Sequence, residues 1–332
     1  MNVSVVMTVL NDRAGCAAVL DTLLRQARPP DEIVVVDGGS KDGTREHVES
    51  LTAAHPRVRL MVAPRCNIAR GRNLGIAEAA GPIIATTDAG CRLDAQWLEN
   101  LVRPFENDSQ VDVVAGLYSI DAHGLLERVV GLATMRGQME PVNPATFNPS
   151  ARSMAFRKDV WARAGGFPDW LYTSEDTLFD LKLRRMGVRW SLGEGAVVRW
   201  RPRSSLRSIA RQFYLYGRGR GHTQIESEDY VYHLRNLGLL AGLVAVGFWQ
   251  SWAWALAGVV WAYLYMWGCH RRCLKISQHA KSRRAYALGM LVLWIVMLWG
   301  TSGYVAGTLQ RWRRPAVFRG RMAAYMAGED AG

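Results

Sequence analysis

Not one aspartate or glutamate occurs between Tyr230 and Gly328, although the 332-residue chain holds 29 acidic residues. From Asn236 onward 11 basic residues stand against 2 acidic ones, compared with 30 and 27 up to Arg235, so most of the net charge of +12 lies in the last third. A basic excess often marks a nucleic-acid partner. Here it flanks long apolar runs, which favours a membrane and leaves no nucleic-acid partner expected. Cysteine is scarce: there are five, an odd number, with no Cys-x-x-Cys pair. That excludes a disulfide framework and fits a reducing compartment. Cys269 and Cys273 stand four apart with no clustered His or Cys to complete a metal site. Met1–Leu10 has no basic segment before its apolar residues, which run straight into Asn11-Asp12-Arg13. No signal peptide is expected, and the N-terminal portion is expected to face the cytoplasm. With 21% charged and 49% hydrophobic residues, disorder is excluded too.

Up to about residue 120, short apolar runs alternate with helical periodicity. Val3–Leu10, Ile33–Val36, Val58–Val62, Ile83–Thr87 and Val111–Leu117 read as strands. Cys16–Ala27, Thr44–Ala54, Ile68–Ala79 and Gln96–Phe105 read as helices. Near-continuous apolar strands separated by helices predict an α/β domain with a mostly parallel sheet covered on both faces. Ligands then bind beyond the carboxyl ends of the strands. Two predicted strands end in Asp37-Gly38-Gly39-Ser40 and Thr87-Asp88-Ala89-Gly90, placing carboxylates and glycines at one rim. A further helix begins near Ser174, with Phe179, Leu183 and Met186 on one stripe and Gly187 ending it.

Leu237–Trp267 and Ala285–Gln310 carry no charge over 31 and 26 residues. Each exceeds the roughly 20 residues needed to cross a bilayer core. Eight of the 13 tryptophans lie from Trp249 to Trp312, where interfacial aromatics belong. The linker 271–284 and the tail 311–321 are both basic, and the charge rule prefers both in the cytoplasm. A bend at Gln250-Ser251 would make the first run a hairpin and give three membrane helices. The expected organisation is a cytoplasmic catalytic domain (1–200), a basic Gly/Arg-rich juxtamembrane segment (201–235), a transmembrane region (236–310) and a basic tail (311–332).

In Ile33–Thr44 a strand runs into a carboxylate, a glycine turn and a helix start; Asp37 can accept hydrogen bonds from the NH groups of a nucleobase. Asp42 reads as a turn or capping residue. Arg70 and Arg72, two apart near a helix start, point to different faces. Asn73 reads as a residue that fixes its loop, and Asp94 as the start of the helix bearing Trp97 and Leu98. His222 reads as a surface residue sooner than a metal ligand. Alternating Gly and Arg in Arg211–Gly221 predict a flexible, acid-free loop, able to cover a diphosphate or to bind anionic lipid headgroups.

Six ordered motifs resemble those of family 2 glycosyltransferases with the GT-A fold. They are Thr8-Val9-Leu10-Asn11, the Val-Val-Val-Asp37-Gly-Gly-Ser-Lys-Asp-Gly-Thr run, Ala69–Gly75, Thr87–Gly90, Ala164–Pro168 and Ser174-Glu175-Asp176. The resemblance implies an inverting transferase that takes its sugar from a nucleotide-diphospho-sugar. It places Thr8, Asn11, Asp37, Gly38, Arg70, Arg72, Asn73 and Asp88 at the donor; Arg218 and Arg220 of the Gly/Arg run are expected at its diphosphate from their own charge. Gly166, Phe167 and Glu175 fall on the acceptor side, and Asp176 is the base, aided by Glu175. The family's Asp-x-Asp departs here to Asp88-Ala89-Gly90, so Asp88 alone would hold Mg²⁺ or Mn²⁺; such ions need only one or two protein carboxylates. The Gln-x-x-Arg-Trp motif of processive synthases is absent, which implies one sugar per encounter. A lipid-linked or membrane-proximal glycan acceptor and membrane lipids are the expected partners, at the inner membrane. A nucleotidyltransferase on a similar sheet would want a glycine- and basic-rich loop after the first strand, which Asn11-Asp12-Arg13 does not supply. A non-catalytic scaffold with a degenerate head is opposed by the joint presence of Asp37, Asp88 and Asp176.

Overall fold

A computed structural model describes residues 1–135, 137–144, 147 and 149–328. Two compact units make up the chain: the first from Met1–Asp121, Val142–Arg201 and the segment from Arg321, the second from Ala122–Pro141 and Pro202–Gly320.

The first unit is built on one eight-stranded sheet. Its elements are β1 (Val3–Val9), α1 (Arg13–Leu24), β2 (Glu32–Asp37), α2 (Thr44–Ala54), β3 (Val58–Val62), α3 (Ile68–Glu78), β4 (Ile83–Asp88), β5 (Cys91–Leu93), α4 (Trp97–Asn107) and β6 (Val113–Ile120). After α5 (Leu125–Thr134), which belongs to the second unit, come β7 (Met154–Arg157), α6 (Lys158–Arg163), α7 (Glu175–Arg185) and β8 (Trp190–Trp200). The strand order is β3-β2-β1-β4-β7-β6-β8-β5. The block β3-β2-β1-β4 is parallel throughout, as the apolar runs predict. Beyond it, β7 runs antiparallel to β4 and β6, and β5 antiparallel to β8, so the whole sheet is mixed. Alternate residues of β1 feed the two faces. Val5 and Met7 join Leu20, Leu23 and Leu101 on one side; Val6 joins Ile76, Phe156 and Phe179 on the other.

The second unit holds α5, α8 (Leu206–Thr223), α9 (Glu228–Trp249), α10 (Trp252–Ala280) and α11 (Arg284–Arg313). The predicted break at Gln250-Ser251 separates α9 from α10, and the Ser251 side chain caps α10 by accepting from the Ala253 N–H. Glu228–Trp249 and Arg284–Arg313 are long and apolar enough to cross a membrane, by length and composition. Around the α9–α10 turn, Phe248, Trp249 and Trp252 are largely exposed.

One expectation is overturned here. The Gly/Arg run 211–221 is not a flexible loop but the body of α8, which packs along α11. A Cβ at Gly217 would overlap the Gly300 carbonyl, and one at Gly303 the Tyr214 carbonyl. Small residues on both helices let the backbones meet. His222 is likewise buried and not at the surface: its ring bonds the Gln310 amide oxygen at 2.7 Å and stacks on Phe318.

The segment α12 (Arg321–Ala327) returns to the first unit after the membrane-type helices.

Candidate active site

The parallel block sets the rim. Val9 of β1 pairs with Asp37 and Thr8 with Asp88, so the two carboxylates end strands on either side of β1 at one edge. Asp37 is fully buried and accepts from the Gly39 and Ser40 N–H groups at 3.2 and 3.0 Å and from the Ser40 hydroxyl. Gly38 turns the chain by donating its N–H to the Val9 carbonyl. Asn11, at φ +51°, ties the two rim loops: its N–H donates to Ser40 Oγ and its side-chain oxygen accepts from the Lys41 N–H, both at 2.8 Å. Asp42 takes its turn role, accepting from Thr44 and from the Arg13 N–H. Asp94 does not cap α4 with its side chain; its carboxylate pairs with Arg199 at 3.0 Å.

Arg70 and Arg72 do point apart. Arg70 is exposed, while Arg72 is buried at the centre of the site. Its guanidinium donates to Asp88 Oδ1 at 2.6 Å and to Glu175 Oε1 at 3.0 Å, and lies over the Phe167 ring. A planar fork can serve two carboxylates at once where a lysine ammonium serves as one point charge. Arg152 approaches the other Asp88 oxygen at 3.6 Å and stacks on Trp200. Against the upward push of burial, Arg72 and then Arg152 hold the Asp88 carboxyl below its usual range. Sequence reasoning missed Arg152 because nothing local distinguishes it from a surface arginine.

Ser174, at φ +69°, opens α7 and sends Glu175 and Asp176 to different surroundings. Glu175 is buried against Arg72. Asp176 is half-buried, accepting from the Thr177 N–H at 2.8 Å. Burial first, then the Asp176 charge, push the Glu175 carboxyl up to about 7 from an ordinary 4.5, against the pull of Arg72. Between those values the folded chain keeps a proton that the unfolded chain has lost. The contribution of Glu175 to stability therefore falls as pH rises from about 4.5 through about 7, then levels off. Glu175→Gln should flatten that slope in denaturation midpoints taken at pH 5 and pH 8; an unchanged slope would assign it to another group.

Asn73 fixes not its own turn but the one at Gly166-Phe167. Its amide donates to the Phe167 carbonyl at 2.7 Å, and its oxygen accepts from the Phe167 N–H at 2.8 Å and the Trp161 indole at 3.2 Å. Gly166 sits at φ +71°, where a Cβ would lie 2.8 Å from the Asn73 oxygen. The ring of Phe167, a residue expected on the acceptor side, is buried between Phe156 and Phe179. The apolar drive of an aromatic cluster overrides its place in the motif. Thr8, at the end of β1, lies where a Cβ on Gly71 of α3 would meet its methyl at 3.0 Å. Arg218 and Arg220 lie on α8 of the second unit, where Arg220 pairs with Glu226 at 2.7 Å.

Among the described residues no three His, Cys, Asp or Glu side chains group to hold a metal. The rim nevertheless suits a hard cation that completes its shell with phosphate oxygens and water. At Gly90, φ +82°, a Cβ would meet one atom within 4 Å, Asp12 Oδ2 at 3.5 Å. Asp12 caps α1 through its other oxygen, which accepts from the Gly15 N–H at 3.0 Å. A carboxylate from the first loop thus borders the space that the absent second acid would enter.

Strand-end carboxylates at a parallel rim, faced by a Glu-Asp pair heading a separate helix, define a glycosyltransferase of the GT-A fold. Residues 4–162, just under half of the chain, match the Glycosyl transferase family 2 model, which with the relatives below supports a family 2 glycosyltransferase. It is 25% identical over 252 residues to the glycosyltransferase AglE of Haloferax volcanii, covering 74% of this chain and 81% of that one. It is 24% identical over 230 residues to the succinoglycan biosynthesis protein ExoA of Rhizobium meliloti, covering 65% and 68%. In fold it resembles the mannosyltransferase PcManGT of Pyrobaculum calidifontis, solved with GDP-Man and Mn²⁺ (TM-score 0.52, 20% identity, 98% of this chain and 85% of that one). It also resembles GalNAc-T7, solved with UDP, GalNAc and Mn²⁺ (TM-score 0.53, 17% identity, 71% of this chain), of which it spans half the length.

Proposed function

We propose that this glycosyltransferase moves one sugar, with inversion, from a nucleoside-diphosphate sugar to a lipid-linked or membrane-proximal glycan acceptor at the cytoplasmic face of the inner membrane. The observation that carries the reading is the division of carboxylates. Asp37 and Asp88 end strands at the rim, Glu175 is tied to Arg72, and Asp176 stays half-buried on a separate helix. Asp176 takes the proton of the acceptor hydroxyl as its oxygen attacks the anomeric carbon. The bond to the diphosphate breaks on the opposite side, and the diphosphate leaves as an anion needing positive charge. Arg70, exposed beside the rim, can supply part of it. Arg72 holds Asp88 and Glu175 in place. Asp88 with Asp12 would hold Mg²⁺ or Mn²⁺, which when bound neutralises diphosphate charge.

The two membrane-type helices and the exposed aromatics of the α9–α10 turn support the membrane site. The glycan acceptor is supported by relatives named for succinoglycan biosynthesis and for O-antigen chain rhamnosyl transfer.

The test is release of nucleoside diphosphate by the full chain in detergent, with UDP-, GDP- and dTDP-sugars and Mn²⁺. Pyrophosphate release would mark a nucleotidyltransferase, and no turnover with any donor or acceptor extract would mark a scaffold. For the cation, Asp88→Asn and Asp12→Ser should each weaken Mn²⁺ binding by calorimetry roughly tenfold or more, the scale seen when a metal-site group is lost. Serine keeps the cap of α1, so a folding defect is not the cause. Unchanged Mn²⁺ affinity in Asp12→Ser would remove Asp12 from the site.

A further inference from the structure

The tail beyond α11 reads in sequence as a basic run, yet its last helix is built into the first unit. Tyr325 of α12 is buried, and its hydroxyl donates to the Gly166 carbonyl at 2.7 Å. Lys182 of α7 is also buried. Its ammonium donates to the Tyr325 and Met326 carbonyls at 2.7 and 3.1 Å and lies 5.7 Å from the Tyr325 ring. Those carbonyls end α12, where helix geometry leaves acceptors without partners and the dipole favours a cation.

Both contacts lead to the proposed acceptor side. Lys182 stands seven residues, about two turns, from Glu175 on the same face of α7. Gly166 is the left-handed centre of the turn that Asn73 also grips, through Phe167. The next residue, Phe167, lies under the Arg72 guanidinium, which bonds Asp88 and Glu175. Bonded by Asn73 at Phe167 and by Tyr325 at Gly166, the turn has little freedom left. A buried charge and a buried hydroxyl are strong requirements for a seven-residue helix, since neither tolerates the loss of its partner.

We propose that α12 is a latch on the acceptor half of the site, with Tyr325 and Lys182 as positioning residues for the Gly166-Phe167 turn and for the helix that presents Asp176. The inference deepens the glycosyl-transfer reading and rests on it for its effect on turnover; the docking itself does not. Chain that has passed through the membrane-type helices would thereby hold the acceptor side in register.

The experiment uses the full chain in detergent with Tyr325→Phe, which removes one oxygen and keeps the ring, and Lys182→Met, which keeps the stem length. Amide hydrogen exchange is followed in residues 165–171 and 175–179 on the acceptor side, and in residues 3–12 and 33–40 on the donor side. Expected in both variants is exchange about fivefold to tenfold faster on the acceptor side, the scale of one lost buried hydrogen bond, with the donor side unchanged. UDP and GDP affinity in the presence of Mn²⁺ stays at the wild-type value. With the donor found in the panel above, kcat falls while the KM for donor is unchanged. Exchange altered only within residues 321–328, or raised equally everywhere, overturns the latch; so does a loss confined to donor KM. A wild-type chain that turns over no donor sinks the transferase reading instead, and the exchange result still decides whether α12 docks as a latch.

Discussion

Asparagine at position 176 is expected to lower sugar transfer by about 10²–10⁴-fold while donor affinity stays at the wild-type value, the loss typical of a removed general base. By rate arithmetic that is on the order of 3–5 kcal/mol of transition-state stabilisation. Asp176 heads α7, whose Leu178, Phe179 and Leu183 are buried in the core, so its carboxylate is carried by a fixed element. Its neighbour Glu175 is already engaged by Arg72. Asp176 also heads a helix separate from the strand ends that carry Asp37 and Asp88. Glu175→Gln should reduce turnover less, because the glutamine amide oxygen can still accept from Arg72. The measurement is turnover of both variants at matched donor saturation. An Asp176→Asn enzyme retaining more than about a tenth of wild-type turnover would move the role elsewhere, with Glu175 the first candidate.

Arg72→Met is expected to have the largest effect on stability, about 3–5 kcal/mol, the range found when one partner of a buried ionic group is removed. Methionine fills much of the volume over Phe167 but leaves Asp88 facing only Arg152, and Glu175 without its cation. Glu175 can respond by taking up a proton, since burial already pushes its carboxyl to about 7. Asp88, held ionised by the two arginines, has no such relief. Adding Glu175→Gln to Arg72→Met should therefore recover part of the loss, a coupling expected of groups in direct contact. Denaturant midpoints of the full chain in detergent measure it. A loss below about 1 kcal/mol, the scale of an exposed pair, would mean that Arg72 is not the keystone of this cluster.

The parallel block was legible because β1 to β4 are short, apolar and separated by helices, a pattern set by local periodicity. The rim followed from it: strands that run the same way must end at the same edge, and Asp37 and Asp88 both stand at ends. The charge-free runs and the polar break at Gln250-Ser251 were equally local signals. β7 was not legible, because four residues, Met154–Arg157, carry too little period to show that a strand enters antiparallel.

The amino-acid sequence by itself determined the parallel core of the first unit, the positions of its strand-end carboxylates, the start of α7 at Glu175-Asp176 and the two membrane-type stretches. Tertiary structure alone decided what the arginines and glycines do. Arg72 meets a carboxylate 103 positions away, and nothing near residue 72 announces it. The glycines of α8 look like hinge residues until α11 lies against them, when the missing side chains become the contact surface. Phe167 belongs to an aromatic core, and Tyr325 closes on Gly166 from 159 residues further along. Periodicity and turn chemistry act over a few residues and can be read in order. Pairing of buried charge, close backbone approach and aromatic packing depend on which distant segments the fold brings together.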